Sequence, residues 1–262
     1  MIDMHIHTTI SDGDYDSSVI IDYFKKHGGK FIALTDHDVV NKECKNGLID
    51  DNLMSVRGIE LTTDYSGGMH ILGYGIDDSQ VLDIQLKRIK ASYVKAMLQL
   101  IKRIELELGI ELKNIDISKI TRHELASILV ENGMYNDVTE AYDMVLSYEK
   151  YNIKKPLTLL PEMAIKKIHD ANGIAILAHP YKNKNITHNT INVLKEIGLD
   201  GIECFHPSCT KNEVEQLVLF ARNNNLLISG GSDFHSGKLS DLGKNIDYNQ
   251  LTIIKELEGR FL

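Results

Sequence analysis

Histidines and carboxylates recur together in this chain in short motifs: His5-Ile6-His7, Asp36-His37-Asp38, His179-Pro180 and Asp233-Phe234-His235. Glu60 and His70 stand alone, and His206 follows Glu203. Nearly every one of these groups ends or begins an apolar, β-like run. Divalent metals of hard or borderline character need several imidazole and carboxylate ligands converging on one point. His5 and His7 are two apart on a predicted strand, so both face the same side and can serve one ion. None of these positions offers a thiolate, which suits manganese, iron(II) or zinc better than copper or a structural zinc finger. The carboxylates of Asp12, Glu60, Asp233 and Asp36 would repel one another if no cations stood among them.

The elements that must position these residues are legible in the pattern. Apolar runs at Ile2–Ile6, Phe31–Leu34, Leu53–Ile59, His70–Tyr74, Ile174–Ala178, Gly201–Ile202 and Leu226–Ser229 lack strict alternation, as strands buried on both faces do. Glu60 is expected to end its run. Amphipathic stretches lie between the runs. Pro161 can open a helix that Asn172-Gly173 closes, and Glu213 to Arg222 reads as another. The βαβα order implies a parallel sheet. Ligands gathered at C-terminal strand ends point to a closed barrel, with a doubly wound open sheet as the alternative.

The middle of the chain breaks this rhythm. Leu82, Leu86, Ile89, Tyr93, Met97, Leu100, Ile104 and Leu108 keep helical spacing up to Gly109. Thr121 and Glu124 form a capping-box pattern for a helix to Glu131, closed by Asn132-Gly133, and Asp137 to Ser147 reads as one more. The expected organisation is a barrel in two parts, 1–108 and 157–262, around a helical insertion at 109–156.

The chain has 262 residues, is 43% hydrophobic and carries a formal net charge of -8. That suffices for a sizeable core and argues against a face for stable duplex nucleic acid. Cys44, Cys204 and Cys209 are odd in number and irregular in spacing, which argues against a disulfide framework. Without a leader-like or membrane-spanning stretch, the expectation is a cytoplasmic protein with no membrane partner.

His5-Ile6-His7-Thr8-Thr9-Ile10-Ser11-Asp12-Gly13 resembles the first motif of the PHP (polymerase and histidinol phosphatase) family. Thr35-Asp36-His37-Asp38 resembles its second. Gly58-Ile59-Glu60 and His70-Ile71-Leu72-Gly73-Tyr74 resemble its third, and Ala178-His179-Pro180 and Gly231-Ser232-Asp233-Phe234-His235 its last. The resemblance runs from end to end with the motifs in order. It implies an α/β fold, a distorted (β/α)7 TIM-like barrel, and three divalent metal ions (Mn, Fe or Zn). Carried over by position, His5, His7, Glu60 and Asp233 would hold one metal, and Glu60 would bridge to a second held by His70 and His179. Asp12, His37 and His235 would hold the third.

The insertion and the run Gly201-Ile202-Glu203-Cys204-Phe205-His206-Pro207-Ser208 resemble a branch of nucleotide phosphoesterases, as does Thr121-Arg122-His123. Some of that branch remove the 3′-phosphate of nucleoside 3′,5′-bisphosphates, and others trim short RNA from its 5′ end. The resemblance therefore implies a metal-dependent phosphoesterase acting on a small phosphorylated substrate, a nucleotide or short RNA. Glu60 would bridge the metals. Arg122 and Lys182 would hold phosphate, and His206 or His123 would protonate the leaving alcohol. Where the branch often has an arginine after Ala-His-Pro, this chain has Tyr181-Lys182, which supplies charge without a planar fork. Rival readings are a histidinol phosphate phosphatase, an amidohydrolase and a non-catalytic metal-binding regulatory module. Asp36 and Asp38 read as supporting residues, with Asp36 able to orient an imidazole. His27, His169 and His188 read as surface residues.

Overall fold

The computed structural model describes all residues except 67, 114 and 118. The chain divides into two compact units: residues 1–83 with 158–262, and residues 84–157.

In the first unit the strands are β1 (Ile2–Asp3), β2 (Phe31–Leu34), β3 (Gly47–Leu48), β4 (Met54–Thr63), β5 (Met69–Tyr74), β6 (Ile174–Leu177), β7 (Gly201–Phe205) and β8 (Leu227–Gly230). They form one sheet in the order β1-β2-β4-β5-β6-β7-β8, with β3 paired to β4. Its two ends meet through an isolated parallel bridge between Ile6 and Phe234. His7 N–H donates to Phe234 O at 2.9 Å across the same join. The result is a nearly closed, distorted TIM-like barrel. Every residue of β2, β6 and β7 is buried, because helices cover the outside of the sheet while the inside is filled. Those helices are α1 (Ser17–Lys26), α5 (Pro161–Asp170), α6 (His188–Glu196), α7 (Lys211–Asn223) and α8 (Thr252–Phe261). α2 (Gln80–Leu108) follows β5 in the chain. Among the described residues no helix is long and apolar enough to cross a membrane.

The sheet is not wholly parallel, as the βα rhythm led one to expect. β5 runs antiparallel to both β4 and β6. The connection 64–68 is too short for a parallel crossover, which takes about a dozen residues. The reversal matters for the site. It puts His70, near the start of β5, opposite Thr62, near the end of β4. Two further expectations shift. β4 continues through Glu60 to Thr63, so Glu60 lies inside a strand. β1 stops at Asp3, where the Asp3 carboxylate takes the His5 N–H at 3.2 Å and so replaces a ladder partner.

In the second unit, α2 from Ile84 onward is joined by α3 (Arg122–Glu131) and α4 (Val138–Val145). The Thr121–Glu124 capping box is formed, and Gly109 and Gly133 adopt the left-handed conformation that ends helices. Met97, Leu100 and Ile104 of α2 share a buried cluster with Leu125, Leu129 and Val145. The expected boundary at residue 109 therefore falls inside this unit, because the long helix supplies one wall of its core.

Candidate active site

His5 and His7 lie side by side in the segment that follows β1. His5 Nε2 lies 3.3 Å from Glu60 Oε2 and 3.3 Å from Asp233 Oδ1. His7 Nε2 lies 3.1 Å and 3.4 Å from the same two oxygens. Ligands about 2.0–2.2 Å from a common ion stand about 3.3–3.6 Å apart at tetrahedral angles. The four side chains thus have the mutual spacing of a metal's ligands. They come from the segment after β1, from β4 and from the segment after β8, which barrel closure brings together.

Two neighbouring groups share members with this one. His37, Glu60 and His70 offer ligand atoms within 4.8 Å of one another, and so do His7, Asp12, His37 and His235. Glu60 is the hinge of the arrangement. Its Oε2 faces His5, His7 and, at 3.2 Å, His37 Nδ1. Its Oε1 faces His70 Nδ1 at 2.8 Å and His179 Nε2 at 2.9 Å. His7 borders two groups, since its Nδ1 lies 3.4 Å from Asp12 Oδ1. His37 also borders two, and His179 reaches the centre through Glu60 Oε1.

The donors fit a divalent cation. Among the described residues, His5 Nε2, both ring nitrogens of His7, Asp12 Oδ1 and His37 Nδ1 are buried and make no hydrogen bond. Each such group costs about 1–3 kcal/mol when left unsatisfied, and coordination would satisfy all of them.

The electrostatics show what cations would replace. Burial alone would lower the His7 pKa, but Asp12, Asp233 and Glu60 around it push it up to about 10. Burial would raise Glu60, yet His37, His70 and His5 hold it well below the usual carboxylate range. Burial likewise works against the charge on Asp12 and Asp233, but the facing histidines hold both far below it. Burial lowers His37 to about 3. In the metal-free protein, protons on imidazoles therefore balance the carboxylates. The His7 contribution to stability is complete below its unfolded pKa, near 6.5, and is lost as pH rises through about 10. Metal binding must expel such protons. Zinc or manganese affinity is accordingly expected to rise between pH 6.5 and 8.5, by up to about tenfold per unit for each proton released. Competition titrations at the two pH values check this; equal affinities would contradict it.

The scaffold holds these ligands through carboxylates, of which the sequence patterns singled out Asp36 and Asp38 but not Asp3. Asp3 is fully buried, and its Oδ1 accepts from His5 N–H and from Ser232 N–H at 2.9 Å, tying β1 to the segment that carries Asp233. Its position was readable in principle, since it shares strand parity with His5 and His7. Among the described residues no imidazole is hydrogen-bonded to Asp36. Its carboxylate accepts from Thr8 N–H at 2.8 Å, the Thr8 and Ser11 hydroxyls and Asn41 Nδ2, and so shapes the loop that delivers Asp12. Asp38 Oδ1 accepts from Thr62 N–H at 3.0 Å, and burial pushes its carboxyl up to about 6. Asp38, His179 and Asp233 all have positive φ (52°, 25° and 52°). Such conformations cost about 1–3 kcal/mol each and concentrate where a scaffold over-determines functional groups.

Lys182 and His206 converge on the same carboxylate oxygen. Lys182 Nζ lies 2.7 Å and His206 Nε2 3.2 Å from Asp233 Oδ2. The Ser208 N–H donates to His206 Nδ1 at 3.0 Å, so the ring carries its proton on Nε2. Arg122 and His123 belong to the second unit. There the Arg122 guanidinium lies 5.1 Å from the Tyr148 ring centre and 5.6 Å from that of Tyr142, while His123 is exposed. His27, His169 and His188 lie at the surface.

No family model matches the chain. Whole-length relatives do. A 5′-3′ exoribonuclease of Haemophilus influenzae is 30% identical over 260 residues, 94% of each protein. A 3′,5′-nucleoside bisphosphate phosphatase of Chromobacterium violaceum is 28% identical, over 100% of this chain and 98% of that one. A solved structure from Chromobacterium violaceum, called an amidohydrolase and holding sulfate, aligns with a TM-score of 0.76 at 26% identity, covering 100% of this chain and 97% of that one. With the end-to-end order of its motifs and the convergence of their side chains, the chain belongs to the PHP family of metal-dependent phosphoesterases, hydrolases of phosphoric ester bonds.

Proposed function

We propose that this enzyme removes the 3′-phosphate of nucleoside 3′,5′-bisphosphates at a centre of three divalent ions. His5, His7, Glu60 and Asp233 hold the first. Glu60, His70 and His179 hold the second, and Asp12, His37 and His235 the third. The observation that carries this reading is Glu60, whose two oxygens each face a different set of imidazoles. Bound manganese, iron or zinc lowers the pKa of a water and neutralises phosphoryl oxygens.

The chain's own residues do the rest. Lys182 brings a mobile positive charge to the edge of the centre, where it can turn from Asp233 to a phosphoryl oxygen. His206 presents Nε2–H at the same place, the atom from which a proton is offered to a leaving oxygen. The nucleotide class is supported by the Chromobacterium phosphatase. A second reading, 5′-3′ trimming of short RNA, is favoured by the Haemophilus exoribonuclease.

A panel with manganese tests the choice: a nucleoside 3′,5′-bisphosphate, a short 5′-phosphorylated RNA, histidinol phosphate and an amide. The bisphosphate is expected to give the highest kcat/KM; a preference for RNA would move the assignment to the second reading. Arg122 and His123 are proposed as contacts for the phosphate that is not transferred. Arg122→Ala is expected to lower kcat/KM for the bisphosphate by about 10-fold or more while sparing p-nitrophenyl phosphate, the pattern of a lost charge-assisted hydrogen bond. Equal losses accompanied by a lower unfolding midpoint would reduce Arg122 to packing between Tyr142 and Tyr148.

A further inference from the structure

Glu203 is a fully buried carboxylate on β7, and none of the roles above uses it. Its Oε1 lies 2.9 Å from His5 Nδ1. Its Oε2 accepts the backbone N–H of His179 at 2.8 Å. We propose that Glu203 is a positioning residue of the metal centre, fixing the tautomer of His5 so that its Nε2 offers a bare nitrogen to an ion, and holding the backbone of His179 so that its ring faces the same centre.

The argument is one of donor and acceptor counts. A neutral imidazole has one N–H, and an ionised carboxylate can only accept. Glu203 therefore places the His5 proton on Nδ1. That leaves the lone pair on Nε2, the atom that faces Glu60 Oε2 and Asp233 Oδ1 and makes no hydrogen bond. The same carboxylate steadies His179 at its unfavourable φ of 25°, with Nε2 directed at Glu60 Oε1. Both partners are donors, so two acceptor oxygens are required. A carboxylate has two and an amide has one. In Glu203→Gln, which preserves size and shape, one partner must face an NH2 group. Either His5 turns its proton to Nε2 and ceases to be a ligand, or the His179 N–H is left unsatisfied and its backbone relaxes.

The proposal rests on the metal-dependent reading, and the test separates the two. Wild type and Glu203→Gln are loaded with zinc and desalted. Zinc per chain is measured by elemental analysis and affinity by competition with a chromophoric chelator. The variant is expected to keep the wild-type circular dichroism spectrum, to lose at least one zinc, and to bind the remainder about 10–100-fold more weakly, as partners of ligating histidines generally do. Unchanged zinc content and affinity in a folded variant would overturn the proposal and leave the metal centre intact. A wild type that binds no zinc would overturn both. If the variant does not fold, 15N-histidine NMR of the zinc-loaded wild type decides. His5 Nδ1 is expected to carry a directly bonded proton, and a bare Nδ1 would overturn the assignment.

Discussion

Glu60→Gln is expected to abolish turnover while leaving the barrel folded. Gln has the same shape, but its amide nitrogen cannot ligate a cation, and its charge is zero. Glu60 presents one oxygen to His5, His7 and His37 and the other to His70 and His179. The substitution therefore takes one of the two oxygens from a carboxylate whose oxygens face different sets, together with a negative charge that the surrounding imidazoles strongly favour. Two-metal stabilisation of a phosphoryl transition state is worth several kcal/mol, and 4 kcal/mol corresponds to about 10³-fold in rate. A fall in kcat of at least about 10³-fold is expected, with loss of metal measured by elemental analysis and the fold monitored by circular dichroism. Turnover near that of the wild type would show that the bridging assignment is wrong.

Gly231→Ala is expected to be nearly as damaging, by a different route. A Cβ at this position would lie 2.2 Å from the His5 Cβ and 2.4 Å from the His5 backbone nitrogen. Neither atom can swing aside, since the His5 N–H is tied to Asp3 and its ring to Glu203. The segment after β8 would have to move away from β1, carrying Asp233 and His235 with it. Overpacking of this kind costs about 1–3 kcal/mol of stability, occasionally more, and a misplacement of about 1 Å at a reacting centre costs about 10²-fold in rate. Urea unfolding and steady-state kinetics on the variant measure the two losses separately. Preserved stability and rate would mean that the join between β1 and the segment after β8 yields more freely than its hydrogen bonds suggest.

The candidate metal ligands were legible in the sequence because their signals are local. His5 and His7 stand two apart beside an apolar run, and the Ala-His-Pro and Gly-Ser-Asp-Phe-His motifs directly follow apolar runs. Helix ends were legible for the same reason: the Thr121–Glu124 box and the positive φ at Gly109 and Gly133 involve only neighbours along the chain. What the tertiary structure alone decided are the pairings between distant residues. Glu203 and His5 are 198 positions apart, and Ser232 and Asp3 are 229 apart. Nothing in either local pattern names its partner. The reversal of β5, the passage of β4 through Glu60 and the meeting of Lys182 with His206 on Asp233 belong to the same class. Local spacing chooses the residues that can bind a metal; closure of the barrel determines which oxygen faces which nitrogen, and with it the tautomers and charges on which the chemistry depends.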